Sequence, residues 1–108
     1  MLLIRAIIRP EKKDEVLSAL SEAGYHAATI MDVVGRGKQK GITIGGVVYD
    51  EIPKTLILMA IPDEAKEAVV GIIMKTAKTG TSGSYGDGKI FVLPMEEAYT
   101  VSKGVAGL

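Results

Sequence analysis

The stretch LLIRAIIRPEKKDEVLSALSEAG, residues 2–24, decides the fold because it predicts a strand followed at once by a helix. Leu2–Ile8 is apolar and rich in branched side chains, which favours a buried strand. Pro10 and Glu11 suit the first turn of a helix, where proline loses no hydrogen bond and an acidic side chain faces the positive end of the helix dipole. The helix then carries apolar side chains at helical spacing, at Val16, Leu17, Leu20 and Ala23. Gly24 stands where a helix-ending glycine is expected.

The second half of the chain repeats this arrangement. Thr55–Ile61 predicts another strand, and a proline followed by an acidic residue at 62–63 begins a second helix that Gly80 ends. The predicted inner face of this helix carries Ala65, Val69, Ile72, Ile73 and Thr76. Ala27–Val34 and Lys89–Pro94 predict the strands that follow the two helices. The order β-α-β, long loop, β-α-β predicts an α+β, ferredoxin-like βαβ-βαβ fold, with two helices on one face of an antiparallel sheet.

The predicted strands are apolar at nearly every position, so the sheet face without helices also needs cover. Neighbouring subunits are the cover that we expect, and the sequence therefore predicts a homo-oligomer. Residues 1–108 are predicted as one domain with a long loop over Arg36–Glu51. Within that loop, ITIGGVVYD can form a small hairpin around Gly45 and Gly46.

The composition narrows the possible classes of function. The chain has 13 Lys and Arg against 13 Asp and Glu, so it lacks a global basic field for nucleic acid or an anionic membrane. It has no cysteine and one histidine, which excludes thiolate metal sites, cysteine nucleophiles and a histidine-rich metal cluster. No apolar run approaches the length of a membrane-spanning helix, and the N-terminus lacks a signal-peptide pattern. We therefore expect a cytoplasmic protein with no membrane span and no nucleic-acid partner.

Nine of the thirteen glycines lie in two stretches, which contain Gly35, Gly37, Gly41, Gly45 and Gly46, and Gly80, Gly83, Gly86 and Gly88. The second stretch, predicted as a phosphate loop over 80–89, has Walker A spacing from Gly83 to Gly88-Lys89. Ile90 replaces the Ser or Thr of that motif, however, and a strand follows instead of a helix, so a P-loop NTPase is not indicated. Backbone N–H groups and a lysine can still cradle an anion. Two plain connecting loops are the other interpretation of the glycines.

Segments spread in order over nearly the whole chain resemble the PII signal-transduction proteins: Ala6–Pro10, Val34–Gly41, Pro53-Lys54, Lys78–Gly80 and Gly86–Val92. The match is closest to the short-loop branch that regulates nitrogenase in archaea and some anaerobes. The resemblance implies a nitrogen-regulatory homotrimer that binds ATP or ADP in clefts between subunits, and 2-oxoglutarate beside Mg-ATP. It also implies a target protein such as nitrogenase and, as a further partner, a paralogous PII-like subunit.

The resemblance implies roles for individual residues. The nucleotide-binding residues would be Ile7, Thr29, Gly35, Gly37, Lys38, Gln39, Gly86, Asp87, Gly88 and Lys89. Ile7 and Thr29, expected on adjacent strands, would line the adenine pocket, and ordinary strand packing is the alternative. The 2-oxoglutarate-binding residues would be Arg9, Gln39, Lys40, Gly41 and Lys54. Two cations and loop amides suit a dianion, although solvated charges at strand ends are the alternative for the cations. Gln39 would also bind Mg²⁺.

The chain departs from the family pattern at the phosphate contacts. Lys38 stands where most members have arginine, and Thr100 and Ser102 stand where two arginines usually grip phosphates. Thr81–Tyr85 are extra residues in the second glycine stretch. We predict no catalytic residue, and a binding module whose ligands order residues 36–51 so that they dock on a target. A small nucleotide hydrolase using Lys89 and Asp87, or a ligand-free oligomerisation module, are the alternatives.

Overall fold

The computed structural model describes residues 1–36, 42–44, 47–49 and 51–108 of the chain. These residues form eight strands and two α-helices, in the order β1 Leu2–Ile8, α1 Lys13–Glu22, β2 Thr29–Gly35, β3 Ile42–Ile44, β4 Val47–Tyr49, β5 Ile52–Ile61, α2 Lys66–Ala77, β6 Gly88–Pro94, β7 Tyr99–Thr100 and β8 Val105–Ala106. Neither of these helices is long and apolar enough to cross a membrane.

A single 3₁₀ turn leads into each helix, at Pro10–Lys12 and at Asp63–Ala65. The Lys12 N–H donates to the carbonyl of Arg9 at 3.0 Å, and the second turn closes in the same way onto Pro62. The predicted helix starts therefore fall in these tight turns, and the α-helices begin three residues after each turn begins.

Strands β2, β5, β1 and β6 form one sheet in that order, and each neighbouring pair is antiparallel. In the centre of the sheet, Ile4 of β1 lies opposite Met59 of β5 and Val92 of β6. This order, with both helices packed against β1 and β5, confirms the predicted ferredoxin-like fold. Strands β3 and β4 form a separate antiparallel pair, as expected for a hairpin, although Gly45 and Gly46 lie outside the described residues.

Strand β5 begins three residues earlier than predicted, at Ile52 instead of Thr55. Pro53 and Lys54 pair with β2, opposite Val34 and Val33. Strand β1 ends opposite Thr55, so this part of β5 has a strand on one side only among the described residues. Proline is tolerated at such an edge because its missing N–H breaks no ladder on the open side.

The core lies between the sheet and the two helices. Strand residues that alternate toward the helices, such as Ile4 and Ile57, have no exposed surface. Helix α1 contributes Val16 and Leu20, and α2 contributes the i, i+4, i+8 set Val69, Ile73 and Ala77. Each fully buried aliphatic side chain contributes about 1.5–3 kcal/mol, so this layer provides most of the fold's stability.

The opposite face of the sheet is mostly apolar, although Arg5 of β1 lies on it, and neither helix of the described residues covers it. By strand alternation and register it carries Leu3, Ile7, Met31, Leu56, Leu58, Phe91 and Leu93. Met31 on the edge strand β2 is 45% exposed, and Phe91 and Leu93 on the other edge strand, β6, are 44% and 38% exposed, which is high for large apolar side chains on a sheet face. An apolar patch of this kind marks an interaction surface.

Candidate functional site

A cavity of about 500 Å³ opens at one edge of the sheet, where β1 and β2 end and β5 and β6 begin. The glycine-rich segment 84–88 runs along the same edge. The cavity is lined by Ile7, Gly35, Arg36, Ile52, Lys54, Ser84, Tyr85, Gly86, Asp87, Gly88, Lys89 and Phe91. Residues from four separate parts of the chain therefore meet at one place.

Seven of the residues singled out in the sequence line this cavity, namely Ile7, Gly35, Lys54, Gly86, Asp87, Gly88 and Lys89. Arg9 adjoins them because its guanidinium contacts Asp87. Five others lie outside the described residues: Gly37, Lys38, Gln39, Lys40 and Gly41. Sequence reasoning did not give binding roles to Arg36, Ile52, Tyr85 or Phe91, which come together at the cavity only through the sheet order.

Thr29 does not join this cavity, and the expectation that it lies on a strand adjacent to that of Ile7 is wrong. Strand β5 separates β1 from β2, so Thr29 pairs with Leu58 whereas Ile7 pairs with Leu56. Thr29 also lies six residues before Gly35 on β2, a distance of roughly 20 Å along a strand. Within one protomer, the Gly35 end of β2 therefore lines the cavity, whereas the Thr29 end lies away from it.

Asp87 is the centre of the hydrogen bonding at the cavity wall. One carboxylate oxygen, Oδ2, accepts from the backbone N–H of Thr79 at 3.0 Å and of Ser84 at 2.8 Å. The other, Oδ1, accepts from the Thr79 hydroxyl at 2.5 Å and from Arg9 Nε at 3.1 Å. The Asp87 N–H donates to the carbonyl of Ser84 at 3.2 Å. The Asp87 side chain thus links Thr79 and Ser84 within the loop 78–87, which connects α2 to β6, and it links this loop to Arg9 at the end of β1.

These donors determine the charge of Asp87. The side-chain hydrogen bond from Thr79, followed by its backbone N–H, lowers the pKa of Asp87 far below its usual value, and Ser84 and Arg9 add to this effect against the cost of desolvation. Asp87 is therefore a carboxylate at any physiological pH. Because each of its oxygens already accepts two hydrogen bonds, it is poorly suited to be a metal ligand.

Replacing Asp87 with asparagine should lower the free energy of unfolding at pH 7 by about 1–3 kcal/mol, because it removes an ionised acceptor from four donors. A carboxyl whose pKa is depressed on folding stabilises the fold above its unfolded pKa and loses this effect as the pH falls toward the folded pKa. The difference between the wild type and D87N should therefore narrow below about pH 4.

Urea denaturation at fixed protein concentration, followed from pH 7 down to pH 3, measures this difference. The matched control is Asp14→Asn, whose side chain is 95% exposed on α1 and which should change stability little at either pH. A D87N deficit that stays constant down to pH 3 would contradict the assigned hydrogen bonding.

Arg9 and Lys54 both reach the loop at the wall of the cavity. Arg9 donates from Nη2 to the carbonyl of Tyr85 at 2.8 Å, and Lys54 Nζ donates to the carbonyl of Gly86. Burial, with the positive charge of Arg9 as the next cause, lowers the pKa of Lys54, while Glu11 and Asp87 act in the opposite direction. Two cations therefore lie together beside one segment of backbone.

Gly88 places β6 against β1 at a separation that only glycine permits. Its φ is +127°, and a Cβ there would overlap the carbonyl oxygen of Ile7 and lie 2.9 Å from the Ile7 carbonyl carbon. In the ladder Gly88 pairs with Ile8 and Lys89 pairs with Ile7. This close approach brings Lys89 into the lining of the cavity, and its side chain is exposed there.

Comparisons with known proteins agree with this geometry. The family model described as "Nitrogen regulatory protein P-II" matches residues 1–105. The "Nitrogen fixation nifHD region glnB-like protein 1" of Methanococcus maripaludis is 55% identical over 108 residues, covering all of both chains. "Nitrogen regulatory protein P-II 2" of Methanothermobacter thermautotrophicus is 45% identical, covering 96% of this chain and 91% of that one.

Among solved structures, the chain is similar to the crystal structure of Arabidopsis thaliana PII bound to citrate. The TM-score is 0.79 and the identity 31%, with 98% of this chain and 84% of that chain covered. The family match and the high identity to the archaeal nitrogen-fixation-region proteins support the same conclusion as the sheet order. This chain belongs to the P-II family of nitrogen regulatory proteins, in the branch associated with nitrogen fixation.

Proposed function

We propose that the chain is a homotrimeric sensor that binds ATP or ADP in clefts between protomers and 2-oxoglutarate beside Mg-ATP. The ligands would order residues 36–51, and this segment would control a target such as nitrogenase, together with a paralogous PII-like subunit. The observation that carries the proposal is the convergence of Lys54, Lys89 and a glycine-rich backbone on one cavity at the sheet edge. The names of the archaeal relatives, which refer to nitrogen-fixation regions, support the choice of target.

The phosphate side of the proposed site is built from β6 and the loop before it. Gly86 and Gly88 have φ of +92° and +127°, a backbone conformation that other residues rarely adopt. Glycines in such positions leave backbone N–H groups accessible to an anion, and Lys89 adds a positive charge beside them. Ile7 would contact the nucleotide from β1. By resemblance Gly37, Lys38 and Gln39 approach from residues outside the described part.

The carboxylate side of the proposed site is built from the end of β1 and the start of β5. Arg9 and Lys54 offer two cations to a dicarboxylate, and by resemblance Gln39, Lys40 and Gly41 add loop groups. The solved Arabidopsis PII was crystallised with citrate, a polycarboxylate, which supports a carboxylate ligand on this fold. Mg²⁺ would be held by the nucleotide phosphates and by Gln39, because Asp87 has no acceptor capacity left for it.

This arrangement favours binding over hydrolysis. Asp87 is the acidic side chain among the cavity-lining residues, and the depressed pKa of its carboxylate makes it a weak general base. Proteins of this family are signal regulators rather than enzymes, and we assign the same class to this chain. An assay for phosphate release from ATP should detect no turnover.

If the Mg²⁺ bound to ATP also holds the dicarboxylate, then 2-oxoglutarate should bind only when the nucleotide is present. Calorimetric titration with 2-oxoglutarate should therefore give measurable heat only when Mg-ATP is present. Lys54→Ala should weaken 2-oxoglutarate binding about tenfold or more, by removing a charge-assisted bond, and should change ATP binding little. Lys66→Ala, an exposed lysine at the start of α2, is the control.

Two results would argue against this assignment. Heat from 2-oxoglutarate without nucleotide would remove the role given to Mg-ATP. Equal loss of both ligands in Lys54→Ala, with Lys66→Ala normal, would make Lys54 a structural residue of the cavity.

The apolar sheet face supports the trimer. Covering Phe91, Leu93 and Met31 with neighbouring copies would remove exposed apolar surface that a monomer leaves in water. Thr29, which is distant from the cavity of its own protomer, could then contribute to the adenine pocket of a neighbour. A contribution from a neighbouring protomer would explain why Thr29, a predicted nucleotide-binding residue, lies at the end of β2 that is far from the cavity of its own protomer.

Light scattering should give a mass three times the chain mass of 11.4 kDa at micromolar concentration. Leu93→Asp, which places a charge in the proposed interface opposite the apolar Leu3, should shift the protein toward monomers because burying an unpaired charge is costly. Ser18→Asp, on the exposed face of α1, should leave the mass unchanged. A wild-type protein that stays monomeric would refute the trimer.

A further inference from the structure

Arg9 and Lys54, the two cations proposed to bind 2-oxoglutarate, already donate hydrogen bonds in this structure to the loop 78–87, which forms the phosphate side of the site. Arg9 donates to the Asp87 carboxylate at 3.1 Å and to the Tyr85 carbonyl at 2.8 Å, and Lys54 donates to the Gly86 carbonyl. The loop therefore presents three oxygen acceptors to the same two side chains. A dicarboxylate would present acceptors of the same kind, so the loop and a bound dicarboxylate compete for these donors.

Asp87 also holds the earlier part of this loop, at Thr79 and Ser84. The second oxygen of Asp87 accepts from the backbone of Thr79 and Ser84, and the Thr79 hydroxyl shares the first oxygen with Arg9. Asp87 therefore connects Arg9, at the end of β1, to both ends of the loop segment 79–84. When Arg9 leaves Asp87, the carboxylate loses its link to the sheet but keeps its links within the loop.

The backbone around Asp87 can respond to such a loss. Gly86 and Gly88 flank it, both with positive φ, and glycine rotates between backbone regions at little steric cost. Gly86 adjoins both peptide groups whose carbonyls face the cations. Turning the peptide between Gly86 and Asp87 would replace an acceptor facing Lys54 with an N–H donor, which is the group that an anionic ligand needs.

We propose that Asp87 is a positioning residue that couples the two halves of the site: it holds Arg9 against the loop while the effector is absent, and releases the loop when a dicarboxylate takes Arg9 and Lys54. The coupling rests on the proposed function, since it takes 2-oxoglutarate as the dicarboxylate. In this proposal the Asp87 side chain holds the loop in place, and the Asp87 backbone contacts the nucleotide. Effector binding then changes the backbone that contacts the phosphates, in addition to residues 36–51.

Tyr85 offers a site for a reporter of this movement. Its side chain is 77% exposed at the cavity, and its contact with Arg9 uses the backbone carbonyl, which a side-chain substitution retains. The chain contains no tryptophan, so Tyr85→Trp gives a single emitting indole. The trimer is saturated with Mg-ATP and titrated with 2-oxoglutarate, while calorimetry on the same variant measures binding independently. We expect the emission to shift with the midpoint that calorimetry gives.

Asp87→Asn combined with Tyr85→Trp tests the role of the carboxylate. The emission of this double variant without effector should already lie near that of the effector-bound Tyr85→Trp protein, and the step caused by 2-oxoglutarate should be mostly lost. Glu15→Gln, which removes the exposed partner of Lys12 on α1, is the control and should keep the full step. If Asp87→Asn does not fold, Thr79→Val removes one hydroxyl from the same carboxylate and should give a smaller shift in the same direction.

The outcomes separate the coupling from the function on which it rests. If calorimetry detects both ligands and the indole of Tyr85→Trp does not respond to 2-oxoglutarate, the coupling is wrong and the proposed function stands. A full emission step in the double variant, with normal folding, also overturns the role of Asp87. If 2-oxoglutarate gives no heat in the presence of Mg-ATP, the proposed function fails and the coupling fails with it.

Discussion

Replacing Lys89 with alanine is expected to lower ATP affinity about a hundredfold, because it removes charge-assisted bonds of about 1.5–3 kcal/mol each, and about 1.4 kcal/mol corresponds to a factor of ten. Lys89 is exposed at the cavity opposite Ile7, next to the glycine whose close packing fixes β6 there. Thr100 ends β7 and Ser102 lies in the turn of the β7–β8 hairpin, and by the family resemblance these are the positions at which two arginines would grip phosphates. The proposed phosphate site therefore depends on Lys89 more than a site with those arginines does.

Calorimetric titration of Mg-ATP into Lys89→Ala measures this loss. Lys75→Ala on α2 is the control, since it removes an exposed lysine outside the cavity lining. Circular dichroism and the oligomeric mass should be normal in both variants, because neither side chain is part of the core. ATP affinity that is unchanged in Lys89→Ala would move the phosphate site away from this edge of the sheet.

The sequence was sufficient for the sheet and its core because the controlling signal there is local. The apolar run in β1 and the i, i+4, i+8 spacing of Ala65, Val69 and Ile73 each lie within one predicted element, and the three α2-side residues are buried as predicted, whereas the buried Ala77 was not among the predicted residues. The proline and acidic residue before each helix marked its start to within three residues. Strand β5 was predicted too short because Pro53 resembles a strand boundary until its pairing with the edge strand β2 is known.

The candidate site was predictable only in part because it depends on which strands are neighbours. Several residues could be recognised along the chain and are brought by the structure to one cavity, among them Gly35, Lys54, Gly86 and Gly88. The misplacement of Thr29 came from treating β1 and β2 as adjacent, although the ferredoxin-like order inserts β5 between them. The hydrogen bonds of Asp87 join residues up to 78 positions apart, and no sequence spacing indicates such contacts.

Replacing Gly88 with alanine is expected to cause the largest loss of stability, on the order of 3 kcal/mol. A left-handed backbone costs a residue with a Cβ about 1–2 kcal/mol, and the overlap with the Ile7 carbonyl adds the cost of shifting backbone in a paired strand. Because the obstructing atoms belong to the main chain of β1, rotating a side chain would not relieve the overlap. Either β6 must move away from β1 at this point or the Gly88 backbone must leave its conformation.

Thermal and urea denaturation should therefore show a clear loss for Gly88→Ala, together with weaker ATP binding, since Lys89 and the loop move with the strand. Gly71→Ala is the matched control, because it lies in α2 with nothing within 4 Å of its would-be Cβ and no positive φ. That variant should be neutral or stabilised by up to about 1 kcal/mol through helix propensity. Equal stability of the two alanine variants would mean that β1 and β6 can separate at Gly88 without cost, and the close packing would then not be what positions Lys89.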